Sequence, residues 1–217
     1  TEYQYIVENL AGDQGASAAT LSVYWNNKEE ENWVSGDDDF KFKETFFDFI
    51  DTQIASKVTD IIHYNTPVTA INYAQDTILV SDVNGGTYQA DKVIITVPIT
   101  QLKANKIQFS PALPAEKTDA FSKIGMGAGM KVFLKFTTKF YDENIIGGSV
   151  CAAYADESVG KTGNDNILLA FVMGVQAENL TALGSDSAIT TALLQELDVM
   201  YAGQATANFI ASHVENW

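Results

Sequence analysis

The spacing of apolar residues changes several times along the chain, and each change predicts a different element. Leu21, Tyr24 and Trp25 sit at three-and-four spacing and predict a helical segment. The acidic runs Glu29 to Glu31 and Asp37 to Asp39 that follow read as an exposed loop. From Phe40 on, Phe46, Phe47, Phe49, Ile50 and Ile54 recur with helical period while Glu44 and Asp48 mark a polar side, so 43–57 reads as an amphipathic helix in need of a partner surface. The period then shortens to that of strands. Ile61 to Tyr64, Val68 to Tyr73, Thr77 to Val83 and Thr87 to Val97 are β-branched or aromatic runs divided by turns, with Asn84-Gly85-Gly86 as a hairpin signal, and together they predict a β-meander. Lys92 to Val97 is almost continuously apolar, as in a strand buried on both faces, and such a strand needs neighbours.

Beyond Pro98, a short helical turn over Ile99 to Lys103 precedes a helix of roughly 114–124, which opens with Pro114 in the first turn and stops at Gly125. Strands follow at Lys131 to Phe136, 148–154 and 166–174. Ile189, Leu193, Leu194, Leu197 and Tyr201 then predict a helix over 186–201 capped by Ser185, and a last strand runs from Phe209 to Val214. The fold class is α+β, a mixed sheet flanked by helices plus the meander.

Composition narrows the partners. The 217 residues carry 28 acidic and 13 basic side chains, a net charge of −15, and every basic residue is Lys. So acidic a chain, without the guanidinium fork, is unsuited to nucleic-acid phosphates or anionic lipid surfaces. No apolar run approaches the ~20 residues of a membrane helix and no signal-peptide pattern opens the chain, which leaves localisation undetermined. With Cys151 alone no internal disulfide can form.

Candidate chemistry is sparse. His63, His213 and Cys151 lie at no metal-ligand spacing, so no metal site is expected. Cys151, between Val150 and Ala152, reads as a small buried hydrophobe. Gly125, Gly127 and Gly129 follow a helix and precede a strand, the reverse of a phosphate-binding loop, and read as a connector or a close backbone contact. Alternation through Lys131 to Phe136 puts Val132, Leu134 and Phe136 on one face and Lys131, Phe133 and Lys135 on the other. Lys131 is then either a solvated strand lysine or a partly desolvated one beside an active centre, and periodicity does not choose.

Several segments together resemble the flavin-containing amine oxidases, the family of monoamine oxidases, polyamine oxidases and flavin-dependent histone demethylases. They are His63-Tyr64-Asn65-Thr66-Pro67-Val68-Thr69-Ala70-Ile71, Ala90 to Pro98, Ile107 to Lys117, Ile124 through Lys131 to Phe140, and Trp217. The resemblance implies that Lys131 holds a water against flavin N5 and that the Val68 backbone contacts the adenine end of FAD. It implies oxidation of an amine C–N bond by hydride transfer to FAD, hydrolysis of the imine, and reoxidation by O2 to give hydrogen peroxide. The family's G-x-G-x-x-G segment and its C-terminal flavin-binding segment have no counterpart here, and Lys43-Glu44-Thr45-Phe46 stands where members carry a glycine pair. The expectation is therefore an inactive fragment, without bound FAD, of a parent that takes an amine and O2. Residues 1–57 would be the first helical part of the substrate-binding domain, 58–98 the meander and strand of the FAD-binding domain, and 99–217 the main sheet and helices of the substrate-binding domain. The alternatives are a non-catalytic binding or structural module on the same scaffold, and another flavoprotein oxidase of the wider superfamily.

Overall fold

A computed structural model describes residues 11–12, 14–34, 36, 42–163 and 165–217. The acidic run Asp37 to Asp39 and Phe40 lie outside the described residues. The chain forms two compact units. One is residues 49–126, and the other is Gly127–Trp217 with the described residues up to Asp48.

Helix α1 (Val23–Asn32) starts where the Ser22 hydroxyl accepts from the Trp25 N–H at 3.3 Å. Glu29 to Glu31 are exposed as expected, but they sit in this helix and not in a loop. Helix α2 (Phe46–Gln53) starts at Thr45, whose hydroxyl accepts from the Asp48 N–H at 3.0 Å. None of its residues is buried. Two 3₁₀ turns, Ala55–Lys57 and Thr59–Ile61, take up the rest of the predicted helix and the start of the predicted strand over Ile61 to Tyr64.

The 49–126 unit holds a four-stranded sheet in the order β3-β2-β1-β4. Its strands are β1 (Val68–Asn72), β2 (Ile78–Asp82), β3 (Thr87–Ala90) and β4 (Gln108–Ser110), with β1 and β4 parallel and the rest antiparallel. The hairpin expected at Asn84 to Gly86 joins β2 to β3. There the Asp82 carboxylate accepts from the Asn84 N–H (2.7 Å), the Gly86 N–H (2.8 Å) and the Tyr88 hydroxyl (2.8 Å). These bonds, that from Gly86 foremost, hold the Asp82 carboxyl below its ordinary range. The strand predicted over Lys92 to Val97 does not form. Pairing between β2 and β3 ends at Ala90, no described strand lies beside the run, and Ile94 is 89% exposed. An apolar run without a ladder to join is left as irregular chain. Helices α3 (Ile99–Lys103) and α4 (Ala115–Lys123) complete the unit. Of its apolar side chains, only Ile71 and Ile107 are fully buried.

The other unit has the larger core. A five-stranded antiparallel sheet runs in the order β6-β7-β8-β5-β9, built from β5 (Gly129–Phe136), β6 (Asn144–Ile146), β7 (Ala153–Asp156), β8 (Asn166–Met173) and β9 (Phe209–Asn216). Helices α5 (Gly174–Thr181), α6 (Asp186–Met200) and α7 (Gln204–Asn208) cover one face. Alternation in β5 sends Met130, Val132, Leu134 and Phe136 into that core, where they meet Leu168, Ala170 and Val172 of β8 and Leu193 and Leu197 of α6. Ser185 caps α6, its hydroxyl accepting from the Ala188 N–H at 3.2 Å. The predicted strand over 148–154 begins only at Ala153, because 148–152 is held as a loop by side chains of α5 and α6.

Candidate active site

The face of the five-stranded sheet turned away from its helices carries Lys131. Register places Phe171 of β8 directly opposite Lys131 on one side and Glu215 of β9 on the other. The Lys131 ammonium stands 5.6 Å from the centre of the Phe171 ring and 5.7 Å from that of Trp217. Trp217 is kept there by backbone and by space. Its N–H donates to the Gly129 carbonyl at 3.1 Å, and a Cβ on Gly129 would lie 3.4 Å from the indole and 2.8 Å from the Met173 sulfur. Gly127 is similarly constrained, since a Cβ there would stand 1.6 Å from the Gly15 carbonyl oxygen. Of the three glycines, Gly127 thus makes a close backbone contact and Gly129, the first residue of β5, a close side-chain contact, while Gly125 has open space around it.

Towards β8 and β7 the same face is apolar, whereas Glu215 and His213 of β9 flank it on the other side. Phe133 pairs with Leu169, and Ala153 and Ala155 of β7 continue the row beyond β8. Glu215 is placed within 3.4 Å of the His213 imidazole, and Lys135, at the far end of β5, is bridged to Asp165 at 2.5 Å. A lysine held between two rings is a cation whose water shell is partly replaced by π faces, an environment in which a bound water or a proton can be positioned.

Behind the sheet lies a second polar cluster that the sequence did not single out. Glu196 of α6 is buried, and its carboxylate accepts from the Val150 N–H (2.7 Å), the Ser149 hydroxyl (3.0 Å), the Cys151 N–H (3.0 Å) and the Tyr154 hydroxyl (2.7 Å). Gln176 of α5 accepts from the Ala152 N–H at 2.8 Å and donates to the carbonyls of Gly148 and Ser149. Two helices therefore fix the loop that leads into β7, whose Ala153 pairs with Phe171. A signal was present, because Glu196 lies three and seven residues from Leu193 and Ile189, on the apolar side of the helical pattern. Cys151 is fully buried as expected, and burial pushes its thiol up to about 12, which keeps it unreactive.

Val68, the other predicted site residue, belongs to the 49–126 unit and Lys131 to the other. Val68 opens β1 and pairs with Asp82 across a register shift, whereas pairing with β4 begins only at Ala70. Its backbone on that side lies outside the ladder. Among the described residues no group of His, Cys, Asp and Glu is arranged to hold a metal ion, and no helix is long and apolar enough to cross a membrane.

The chain is 30% identical over 173 residues to lysine-specific histone demethylase 1 homolog 3 of Arabidopsis thaliana, covering 75% of this chain and 10% of that protein. It is 40% identical over 80 residues to polyamine oxidase 4 of Oryza sativa subsp. japonica, covering 37% of this chain and 16% of that protein. The fold is that of cyclohexylamine oxidase from Brevibacterium oxydans, with a TM-score of 0.75 at 18% identity over 99% of this chain and 49% of that one. The chain therefore spans half or less of the proteins it resembles. The family model for flavin containing amine oxidoreductases matches residues 47–217, and the chain belongs to that family.

Proposed function

We propose that the chain is the substrate-side part of an FAD-dependent amine oxidase, with residues 58–98 belonging to the FAD-binding side, and that by itself it is inactive. The observation that carries this reading is Lys131 on the face of β5 turned away from the helices, its ammonium over two aromatic rings. Bound FAD would accept a hydride from the amine carbon and deliver two electrons to O2, which with two protons becomes hydrogen peroxide. Lys131 is suited to hold a water at that face, since its ammonium stands over the Phe171 and Trp217 rings with Glu215 opposite it on β9, and such a water hydrolyses the imine to a carbonyl compound and ammonia or the released amine. Phe133, Leu169 and Phe171 exclude bulk solvent from the reacting centre. The Val68 backbone, beyond the β1–β4 ladder, is suited to contact the adenine end of the cofactor. The exposed run through Ile94 and the scant core of the 49–126 unit favour a larger whole, because both leave apolar surface that a further segment would cover.

The test is made on the full-length protein. It should purify with flavin absorbance, and Lys131→Met should lose on the order of 100-fold or more in the rate of flavin reduction by amines under anaerobic conditions. A full-length protein that takes up no FAD overturns the reading.

A further inference from the structure

We propose that His213 is a positioning residue for Lys131: its imidazolium holds the Glu215 carboxylate, which would otherwise pair with the Lys131 ammonium and draw it off its rings. This rests on the oxidase reading above, in which that ammonium must be free to hold a water. Strand register sets up the competition. Lys131 and Glu215 stand directly opposite each other in the β5–β9 ladder, on the same face, and side chains so placed start from Cβ atoms only about 5 Å apart, within reach of an ion pair. Yet the ammonium lies over the Phe171 and Trp217 rings, and the Glu215 carboxylate stands 3.4 Å from the His213 Nε2. Alternation puts His213 on the same face as Glu215, with its ring 6.4 Å from that of Phe133, the residue opposite it.

The other charges of the face do not compete. Lys135 is bridged to Asp165, and Glu157 lies past the end of β7, two strands beyond β5. β9 is the edge of the sheet, so no described strand brings a further charge to its outer side. Glu215 therefore has two cations within reach, Lys131 across the ladder and His213 along the strand. His213 and Glu215 are both exposed, and exposed ion pairs are weak, so a single change of charge decides between the partners. An imidazole makes that change between about pH 5 and about pH 8. On the acid side His213 is a cation and keeps the carboxylate. On the alkaline side the carboxylate turns to Lys131, the ammonium leaves the rings, and the water it holds is lost.

The experiment uses the full-length protein with FAD and takes rates as ratios between variants at one pH, so that titration of the amine itself cancels. Anaerobic flavin reduction is followed with whichever of 2-phenylethylamine, 1,4-diaminobutane and an N-methyl-lysine peptide acts fastest. His213→Phe should be about 10-fold slower than wild type at about pH 6, and the difference should vanish towards about pH 9, where the wild-type imidazole is neutral too. Adding Glu215→Gln to His213→Phe should restore the rate at about pH 6 to within about 3-fold of wild type. His213→Lys, a cation throughout this range, should keep the faster rate on the alkaline side. A second readout needs no turnover. A carbodiimide joins a carboxylate to an amine in contact with it and takes up the water released as a urea. At about pH 6 it should cross-link Glu215 to Lys131 several-fold more in His213→Phe than in wild type, counted by mass spectrometry of the joined peptides. A His213→Phe rate equal to wild type on the acid side, a loss that Glu215→Gln does not reverse, or equal cross-linking in the two proteins overturns the inference and leaves the oxidase reading intact. Failure of FAD to bind, or of every amine to reduce it, overturns the oxidase reading, and the cross-link alone then decides the inference.

Discussion

Glu196 shows how much a single buried carboxylate can organise. Two backbone N–H groups and two hydroxyls from four positions of one loop and strand converge on it, which satisfies donors that the loop would otherwise bury unpaired. Burial, foremost, raises the Tyr154 hydroxyl pKa and keeps it protonated as a donor to this carboxylate. Glu196→Ala would strand these donors in the core and should cost about 3 kcal/mol, measured as a loss in unfolding free energy of the full-length protein. Glu196→Gln keeps one acceptor oxygen but points an N–H at a donor, so it should fall between wild type and the alanine variant. At this scale alternation set Lys131 apart from Val132 and Leu134 together with Phe133 and Lys135, and only the family resemblance singled it out. Its aromatic surroundings were not legible, since Phe171 and Trp217 are 40 and 86 positions away and meet it only through strand pairing.

Among the elements, those with a local signal at each end match their prediction most closely. Helix α6 is one, with Ser185 at its cap and an apolar stripe that faces the sheet. Ser185→Ala removes the hydroxyl that accepts from the Ala188 N–H and should destabilise by about 1 kcal/mol, read as a lowered thermal midpoint. The runs Asn166 to Met173 and Lys92 to Val97 look alike in sequence, both nearly continuous in apolar residues. The first forms β8 because β5 and β7 flank it, and the second forms no strand because nothing described does. Propensity proposes a strand and a neighbour's hydrogen bonds decide it. Short elements without a periodic pattern, such as β4, β6 and α7, left no sequence signal to read.

For the molecule as a whole, the two units differ in how completely they bury their own apolar residues. The sheet and helices over 127–217 enclose a contiguous core, while the 49–126 unit leaves Ile54, Val58, Ile61, Ile94 and Ile95 exposed. Its hairpin is held instead by the Asp82 carboxylate, and in the other unit Asp198 is also lowered, burial being its largest single influence but outweighed by the hydrogen bonds from Thr206 and the Ala205 backbone together. Both carboxyls have folded-state pKa values below the ordinary value of 3.8. Their stabilisation is therefore fully present above that value and is lost as pH falls through the folded value. The stability difference between wild type and Asp82→Asn should shrink as pH drops from about 5 to about 2, followed by denaturant titration at each pH.

Sequence alone determined the α+β class, the meander and its hairpin, the capped helix α6, the alternation of β5 and the family likeness, because each rests on residues close together in the chain or on short motifs. Tertiary structure decided which apolar runs became strands, which glycines admit close backbone, that Glu196 and Gln176 hold the loop before β7, and that Lys131 lies between Phe171 and Trp217. Those outcomes depend on strand register and on which surface covers which, and register joins residues that no local pattern connects.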